Sequence, residues 1–329
     1  MILRFFRSCF PVQYIVIGII GILLWSRAFF EPPGMPAPDG PVPLYTLIYF
    51  LLHGSPHTAC IIGFILTLLS AFLLNRLLTR NEVVHKNSSL SALIFIVLMS
   101  YFPFLLTLHQ LSIATFLLLM ILERLYQSYN KAESLELTYV AGFLIGIGSL
   151  FYLPFILFFF FLLISFLLFR NIDWHEWAGS FIGMATPYIF LSVYYFWFDE
   201  WMIKAQEYQH FFMISFDPVP FRETSFLILS GIVLVLLVFG LITGLSRLSE
   251  KTIEIRKKTI LLIWLIPVMI LSIFFSASLL KYHLLISFIT LSGLLSMYLL
   301  KIRNTFWQEL VFVVLLVVLL LNNLLSGWL

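Results

Sequence analysis

Two acidic residues lie in a proline-rich stretch near the N-terminus. Glu31 and Asp39 are eight positions apart, and six prolines fall between Pro32 and Pro43. A carboxylate can serve as a general base toward a hydroxyl nucleophile, or it can ligate a divalent metal ion. The alternative interpretation is that both acids are solvated and that Asp39-Gly40 forms a turn. The prolines predict extended backbone here instead of a helix.

Basic residues that could bind phosphate occur much later in the chain. Lys281 and His283 lie together at the start of an apolar stretch, and Arg222 lies in an earlier polar segment. Lysine and arginine bind phosphate through charged donors, so these positions could hold an anionic headgroup or a pyrophosphate. The alternative is that the long cationic side chains extend to a membrane interface.

One pair of histidines has the spacing of a metal site on a helix. His53 and His57 are four positions apart, which would place them on one helical face. Gly54 and Pro56 interrupt that helix, so we interpret these histidines as interfacial residues.

The composition requires that membrane-spanning helices position all of these residues. Of the 329 residues, 61% are hydrophobic and 11% are charged, and the mean hydropathy is +1.04. Soluble domains are about 45–50% apolar and about 25% charged. The composition therefore excludes a soluble globular enzyme, a disordered chain and a nucleic-acid-binding protein. The two cysteines, Cys9 and Cys60, provide neither a disulfide framework nor a set of zinc ligands.

About eleven apolar stretches have the length of a helical span, which is about 20 residues. We predict an all-α polytopic membrane protein whose residues 1–329 form a single transmembrane domain, with no separate soluble domain. The predicted spans are 12–30, 57–75, 88–107, 109–126, 138–152, 154–169, 178–197, 224–246, 259–276, 282–300 and 306–325.

Two short segments need separate interpretation. Residues 138–152 and 154–169 could form one kinked helix, but Pro154 favours a tight hairpin between two spans. The apolar stretch Tyr45–Leu52 is too short to cross a bilayer, so it predicts a re-entrant or interfacial helix in the first outer loop.

The distribution of lysine and arginine predicts the orientation. With a cytoplasmic N-terminus and eleven spans, 15 of these residues fall in cytoplasmic segments and 4 on the outer side. Merging the hairpin into one span would place the cations from Arg247 to Lys258 outside, so the count favours the hairpin and an outer C-terminus. We expect an integral protein of the bacterial inner membrane, with the acidic loop and Lys281 at its outer face.

Four stretches resemble the GT-C superfamily of membrane glycosyltransferases that use polyprenyl-phosphate sugars, in the broad style of mannosyl- and aminoarabinosyltransferases. They are the first span with its acidic outer loop, Pro43-Leu44-Tyr45 leading into the second span, the glycine-rich segment Gly142–Pro154, and Lys281-Tyr282-His283. The sequence departs from the family pattern because it has no adjacent pair of loop acids. Tyr152 lies where the family hairpin has an arginine nearby, and lysine replaces arginine at position 281.

The resemblance implies transfer of a sugar from a polyprenyl-phosphate donor to an envelope acceptor. Asp39 would activate the acceptor hydroxyl, with Glu31 as the second choice. Lys281, His283 and Arg222 would neutralise the phosphate of the departing lipid. The implied partners are membrane lipids and this donor, and a divalent metal is compatible with the site without being required.

Two other functions stay open at this point. The chain could be a non-catalytic membrane subunit or scaffold in envelope assembly or protein export. It could also be a lipid or polymer transporter, although the predicted spans show no polar track. Whether the protein is an enzyme is therefore left open by the sequence.

Overall fold

The computed structural model describes residues 5–7, 10–85, 88–131, 134–169, 173–211, 224–246, 248–273, 280–301, 309 and 313. All regular structure in these residues is helical, as the all-α prediction requires. Their α-helices are α1 (Pro11–Phe30), α2 (Pro43–Leu52), α3 (Pro56–Arg80), α4 (Leu90–Met99), α5 (Gln110–Ser128), α6 (Leu135–Phe151), α7 (Phe158–Phe169), α8 (Trp174–Trp197), α9 (Trp201–Phe211), α10 (Thr224–Leu245), α11 (Ile253–Ile273) and α12 (Leu280–Lys301). Short 3-10 helices cover Pro103–Leu105, Leu153–Leu157 and Leu248–Glu250.

Three of these helices have the length and hydropathy of membrane spans. They are α1, α3 and α5. Large apolar side chains on the surface of α1, such as Ile15, Ile19 and Leu23, are more than half exposed. A continuous apolar face of this kind is stable against lipid rather than water. These features indicate a membrane protein, and the count of eleven spans remains a prediction.

Helix α4 is shorter than the predicted span 88–107. It ends at Met99, and at about 15 Å it covers half of a bilayer core. Pro103 disfavours helical backbone at the residue before it, and the chain turns there into a 3-10 helix. All ten residues of α4 are buried, so it is a central helix and not a lipid-facing one.

Two further helices, α11 and α9, differ from the boundaries that the sequence predicted. Helix α11 begins at Ile253, six residues before the predicted start, and it therefore carries several charged residues in its first turns. Helix α9 lies in a segment, 198–223, for which the sequence predicted only a loop. The predicted span 306–325 lies outside the described residues, apart from two isolated positions.

The positions of proline in the sequence predicted two local features that the structure contains. Residues 32–39, in the proline-rich stretch, have no regular structure, and α2 then begins at Pro43. Helix α6 ends at Phe151, Tyr152 is extended, and Pro154 lies in the 3-10 helix that leads into α7. The segments 138–152 and 154–169 are therefore separate helices.

Helices α6 and α8 approach each other very closely. A Cβ atom added at Gly142 would lie 2.0 Å from the carbonyl oxygen of Ser180, and one at Gly183 would lie 2.2 Å from that of Tyr139. Only glycine permits backbones to approach so closely, as in small-residue interfaces of membrane helices. Around α4, hydrogen bonds cross between helices: Trp25 Nε1 donates to Ser100 Oγ, and Ser91 Oγ donates to Ser296 Oγ.

Basic residues collect at one end of the bundle. There Lys258 of α11 donates to the Asn81 side chain beyond α3, and the Tyr126 hydroxyl of α5 donates to the Lys258 carbonyl. Lys251 donates to the Val83 carbonyl in the same region. We call this the basic end. The C-termini of α6 and α8 and the start of α12 form the opposite end, which holds Tyr152 and is called the Tyr152 end.

Candidate functional site

Residues 31–55, between α1 and α3, form the predicted first outer loop, and an apolar cluster holds this segment at the Tyr152 end. Val42 and Tyr45 are buried against Leu153, which follows the break after α6. The Tyr45 hydroxyl donates a 2.8 Å hydrogen bond to the carbonyl oxygen of Pro36. Tyr45 therefore anchors both the first turn of α2 and the extended segment that carries Asp39.

A buried polar pair lies next to this cluster. The Tyr152 hydroxyl and His283 Nε2 share a hydrogen bond, and both side chains are 1% exposed. Their rings also meet edge to face, with centroids 5.5 Å apart. Because Tyr152 lies between Phe151 and Leu153, the first outer loop and the start of α12 both contact the same three-residue break.

Helix α9 also contacts the first outer loop. Tyr208 and Phe211 pack against the cluster of Val42, Tyr45 and Leu153. Gly40 has a φ of +77°, and a Cβ atom there would lie 2.3 Å from the Phe211 ring. The position next to Asp39 thus requires glycine, both for its left-handed backbone and for the close ring.

A cavity of about 480 Å³ lies between α8 and α9. Aromatic residues form much of its wall, including Tyr188, Tyr195, Trp201 and Tyr208, and Lys204 also lines it. The hydrogen bond from Lys204 to Glu207 raises the pKa of Lys204, which keeps this lysine charged. Burial raises the pKa of Tyr208, whose hydroxyl has no hydrogen-bond partner among the described residues. The cavity could hold an apolar chain with an anionic group beside Lys204.

The two acids of the first outer loop differ in their surroundings. Asp39 is half-buried beside Gly40 in the segment that Tyr45 anchors. Glu31 is exposed at the end of α1, where its carboxylate lies 3.9 Å from Arg27 of the same helix. Asp39 is therefore the acid that lies closer in sequence and structure to the apolar cluster.

The predicted phosphate ligands fall partly outside the described residues. His283 is enclosed and bonded to Tyr152, so its ring faces the protein interior. Lys281 lies in the first turn of α12, but its side chain is not among the described ones. Arg222 lies outside the described residues altogether.

The histidines with metal-pair spacing are directed to different partners. His53 stacks on Tyr49 and hydrogen-bonds its carbonyl, whereas His57 Nδ1 lies 3.2 Å from the carbonyl oxygen of Phe29. In the part of the chain that the structure describes, no group of three His, Cys, Asp or Glu residues could hold a metal ion.

Sequence reasoning did not identify two contributors to this end. It gave Tyr152 no role, although its place just before Leu153-Pro154 marks the break. It also missed α9, whose Lys204 and Glu207 lower its hydropathy below that of a span.

Comparison with known proteins gives a family match. No curated protein and no solved structure matches this chain. A family match covers residues 40–325, which is most of the sequence and includes the break at Tyr152 and the start of α12. The chain belongs to DUF6427, a family of unknown function.

Proposed function

We propose that this protein is a membrane transferase of the GT-C type that moves a sugar from a polyprenyl-phosphate donor to an envelope acceptor. One observation carries the proposal: the loop with Asp39 and the start of α12, with Lys281 and His283, both contact residues 151–153. An active site for this reaction needs a base and a phosphate-binding cation near each other. The resemblance to GT-C proteins in the same stretches supports the same assignment.

Each residue has a defined role in the proposed reaction. Asp39 accepts the proton of the acceptor hydroxyl while that oxygen forms a bond to the anomeric carbon of the sugar. The bond from this carbon to the phosphate oxygen breaks, and polyprenyl phosphate leaves with the electron pair. Lys281 and Arg222 stabilise the negative charge on the departing phosphate. His283 acts through Tyr152 as a positioning residue that fixes the start of α12.

The cavity between α8 and α9 supplies a place for the donor lipid. Its aromatic wall suits a prenyl chain, and its lining includes one cation, Lys204, which Glu207 pairs. This arrangement lets the lipid enter from the side of the bundle while the first outer loop covers the reacting end.

We further propose that the chain crosses a bacterial inner membrane eleven times with its N-terminus in the cytoplasm. The support for this orientation is the basic end, where Arg80, Lys131, Lys251 and Lys258 lie together. Cytoplasmic ends of membrane helices carry such an excess of lysine and arginine. The Tyr152 end then faces outward, where polyprenyl-linked sugars meet envelope acceptors.

The test compares lipid extracts of a strain that lacks the protein with those of complemented strains. We expect a polyprenyl-phosphate sugar to accumulate in the deletion strain, as measured by mass spectrometry, and to disappear on complementation with the wild type. Asp39→Asn should lower turnover by about 10²–10⁴-fold because a general base contributes about that much. Glu200→Gln changes an exposed acid at the same end and should restore normal lipid levels.

Two results would reject parts of this proposal. If no polyprenyl-phosphate sugar accumulates in the deletion strain, the donor class is wrong. If Asp39→Asn clears the lipid as well as Glu200→Gln does, Asp39 is not the base. Full function of both Asp39→Asn and Lys281→Gln would assign the protein to the class of non-catalytic membrane subunits.

A further inference from the structure

A second cavity, polar and of about 560 Å³, lies at the basic end. It is bounded by the C-terminal ends of α3 and α5 and by the first turns of α11. Helix α3 has 25 residues and is about 37 Å long, and its N-terminus lies beside the first outer loop. The cavity is therefore separated from the proposed transfer site by roughly the thickness of a bilayer.

Lys258 lies in the wall of this cavity, where several contacts hold its side chain in place. Its side chain is 6% exposed, and its ammonium group lies 2.5 Å from Glu254 Oε1 and 2.8 Å from Asn81 Oδ1. The same ammonium lies 5.5 Å from the centre of the Tyr129 ring. A lysine held by a carboxylate, an amide oxygen and an aromatic face has its charge compensated and its position fixed.

Two further cations of the cavity are not compensated in this way. Arg80 and Lys131 are exposed, and within the described ranges neither has an ion-pair or side-chain hydrogen-bond partner. The lining has three cations against two carboxylates, and one of these, Glu254, is already paired with Lys258. The donors of Arg80 and Lys131, which have no partner among the described residues, thus line a polar cavity at the end of the bundle.

We propose that this cavity binds a phosphate-bearing anion. The planar guanidinium of Arg80 can hold two phosphate oxygens, and Lys131 can neutralise the remaining charge. Basic pockets between helices at the cytoplasmic face bind lipid headgroups by this chemistry. The same chemistry would bind a free phosphate compound. This site is independent of the proposed sugar transfer.

The experiment uses the full-length protein purified in detergent. Native mass spectrometry measures how much phosphatidylglycerol and how much phosphatidylcholine the protein retains, and calorimetry measures binding of pyrophosphate to delipidated protein. The double variant Arg80→Gln/Lys131→Gln removes the two cations of the cavity other than Lys258. The control Arg76→Gln/Arg256→Gln removes two cations from the same end that do not line the cavity.

We expect the cavity variant to lose about 25-fold in affinity, about fivefold for each cation, whereas the control should stay within about twofold of the wild type. Selective retention of phosphatidylglycerol identifies a lipid headgroup as the ligand. Pyrophosphate binding that the cavity variant abolishes identifies a free anion. Equal losses in both double variants, or no anion binding in either arm, would overturn the proposal. Matching thermal unfolding of the two variants checks that both are folded.

Discussion

At the scale of single residues, the pairing of Tyr152 with His283 is the contact that defines the Tyr152 end. It joins positions 131 apart in the chain, and both side chains are almost fully enclosed. From the sequence, His283 looked like a phosphate ligand because it follows Lys281. Nothing in the sequence pattern indicates its partner, since a long-range hydrogen bond depends on tertiary packing that local spacing does not encode.

Replacing Tyr152 by phenylalanine tests the energetic role of this pair. We expect Tyr152→Phe to lower the free energy of unfolding by about 1–3 kcal/mol, because a hydrogen bond between two buried side chains is lost. Thermal unfolding of the purified protein in detergent measures the change.

The matched control is Tyr194→Phe, which removes a hydroxyl from a tyrosine that is 55% exposed. It should change the free energy of unfolding by less than about 0.5 kcal/mol. A double-mutant cycle with His283→Gln separates the pair from its surroundings. Equal stability of the two phenylalanine variants would show that the bond contributes nothing.

At the scale of helices, proline and glycine made parts of the fold predictable. The sequence located α2 and the break at Tyr152 because Pro43 and Pro154 restrict the backbone locally. The sequence overestimated the length of α4, since a uniformly apolar run fits a lipid-facing span and a central helix equally well. It missed α9, because aromatic and acidic residues are mixed just before it, from Trp197 to Trp201, as they are at membrane interfaces.

The contact between α6 and α8 gives a prediction at this scale. Gly142→Ala should destabilise the protein by about 1–3 kcal/mol, because the new methyl group would lie 2.0 Å from the Ser180 carbonyl oxygen and force the helices apart. Thermal unfolding in detergent is again the measurement.

Gly18 in α1 provides the comparison for this substitution. A Cβ atom at Gly18 would meet no heavy atom within 4 Å, so Gly18→Ala should leave stability unchanged or raise it slightly. If Gly142→Ala were as well tolerated as Gly18→Ala, the close approach of α6 and α8 would be wrong.

At the scale of the whole molecule, the two ends of the bundle differ in charge and in construction. The basic end has its lysines bonded across three helices, as Lys258 shows. The Tyr152 end is built from an extended loop, a short helix and aromatic contacts. The sequence predicted this division of charge, because the positive-inside rule depends only on composition along the chain.

Cysteine labelling tests the orientation of the two ends. In a background that carries Cys9→Ser and Cys60→Ala, we introduce Gly34→Cys at the first outer loop or Ser249→Cys near the basic end. Both positions are exposed. A membrane-impermeant maleimide should label Gly34→Cys in intact cells, and Ser249→Cys only after the membrane is permeabilised. The reverse pattern would invert the proposed topology.

The bonds around Lys258 also have a mechanical consequence. Helix α11 cannot slide or rotate past α3 and α5 without separating the ammonium group from Glu254 and Asn81, and the carbonyl of Lys258 from Tyr126. A motion that keeps these bonds pivots at the basic end, so the displacement of α11 grows toward Ile273, about 22 Å along the helix from Lys258. Opening and closing for a substrate would therefore displace the helices mainly at the Tyr152 end, while the basic end acts as the pivot.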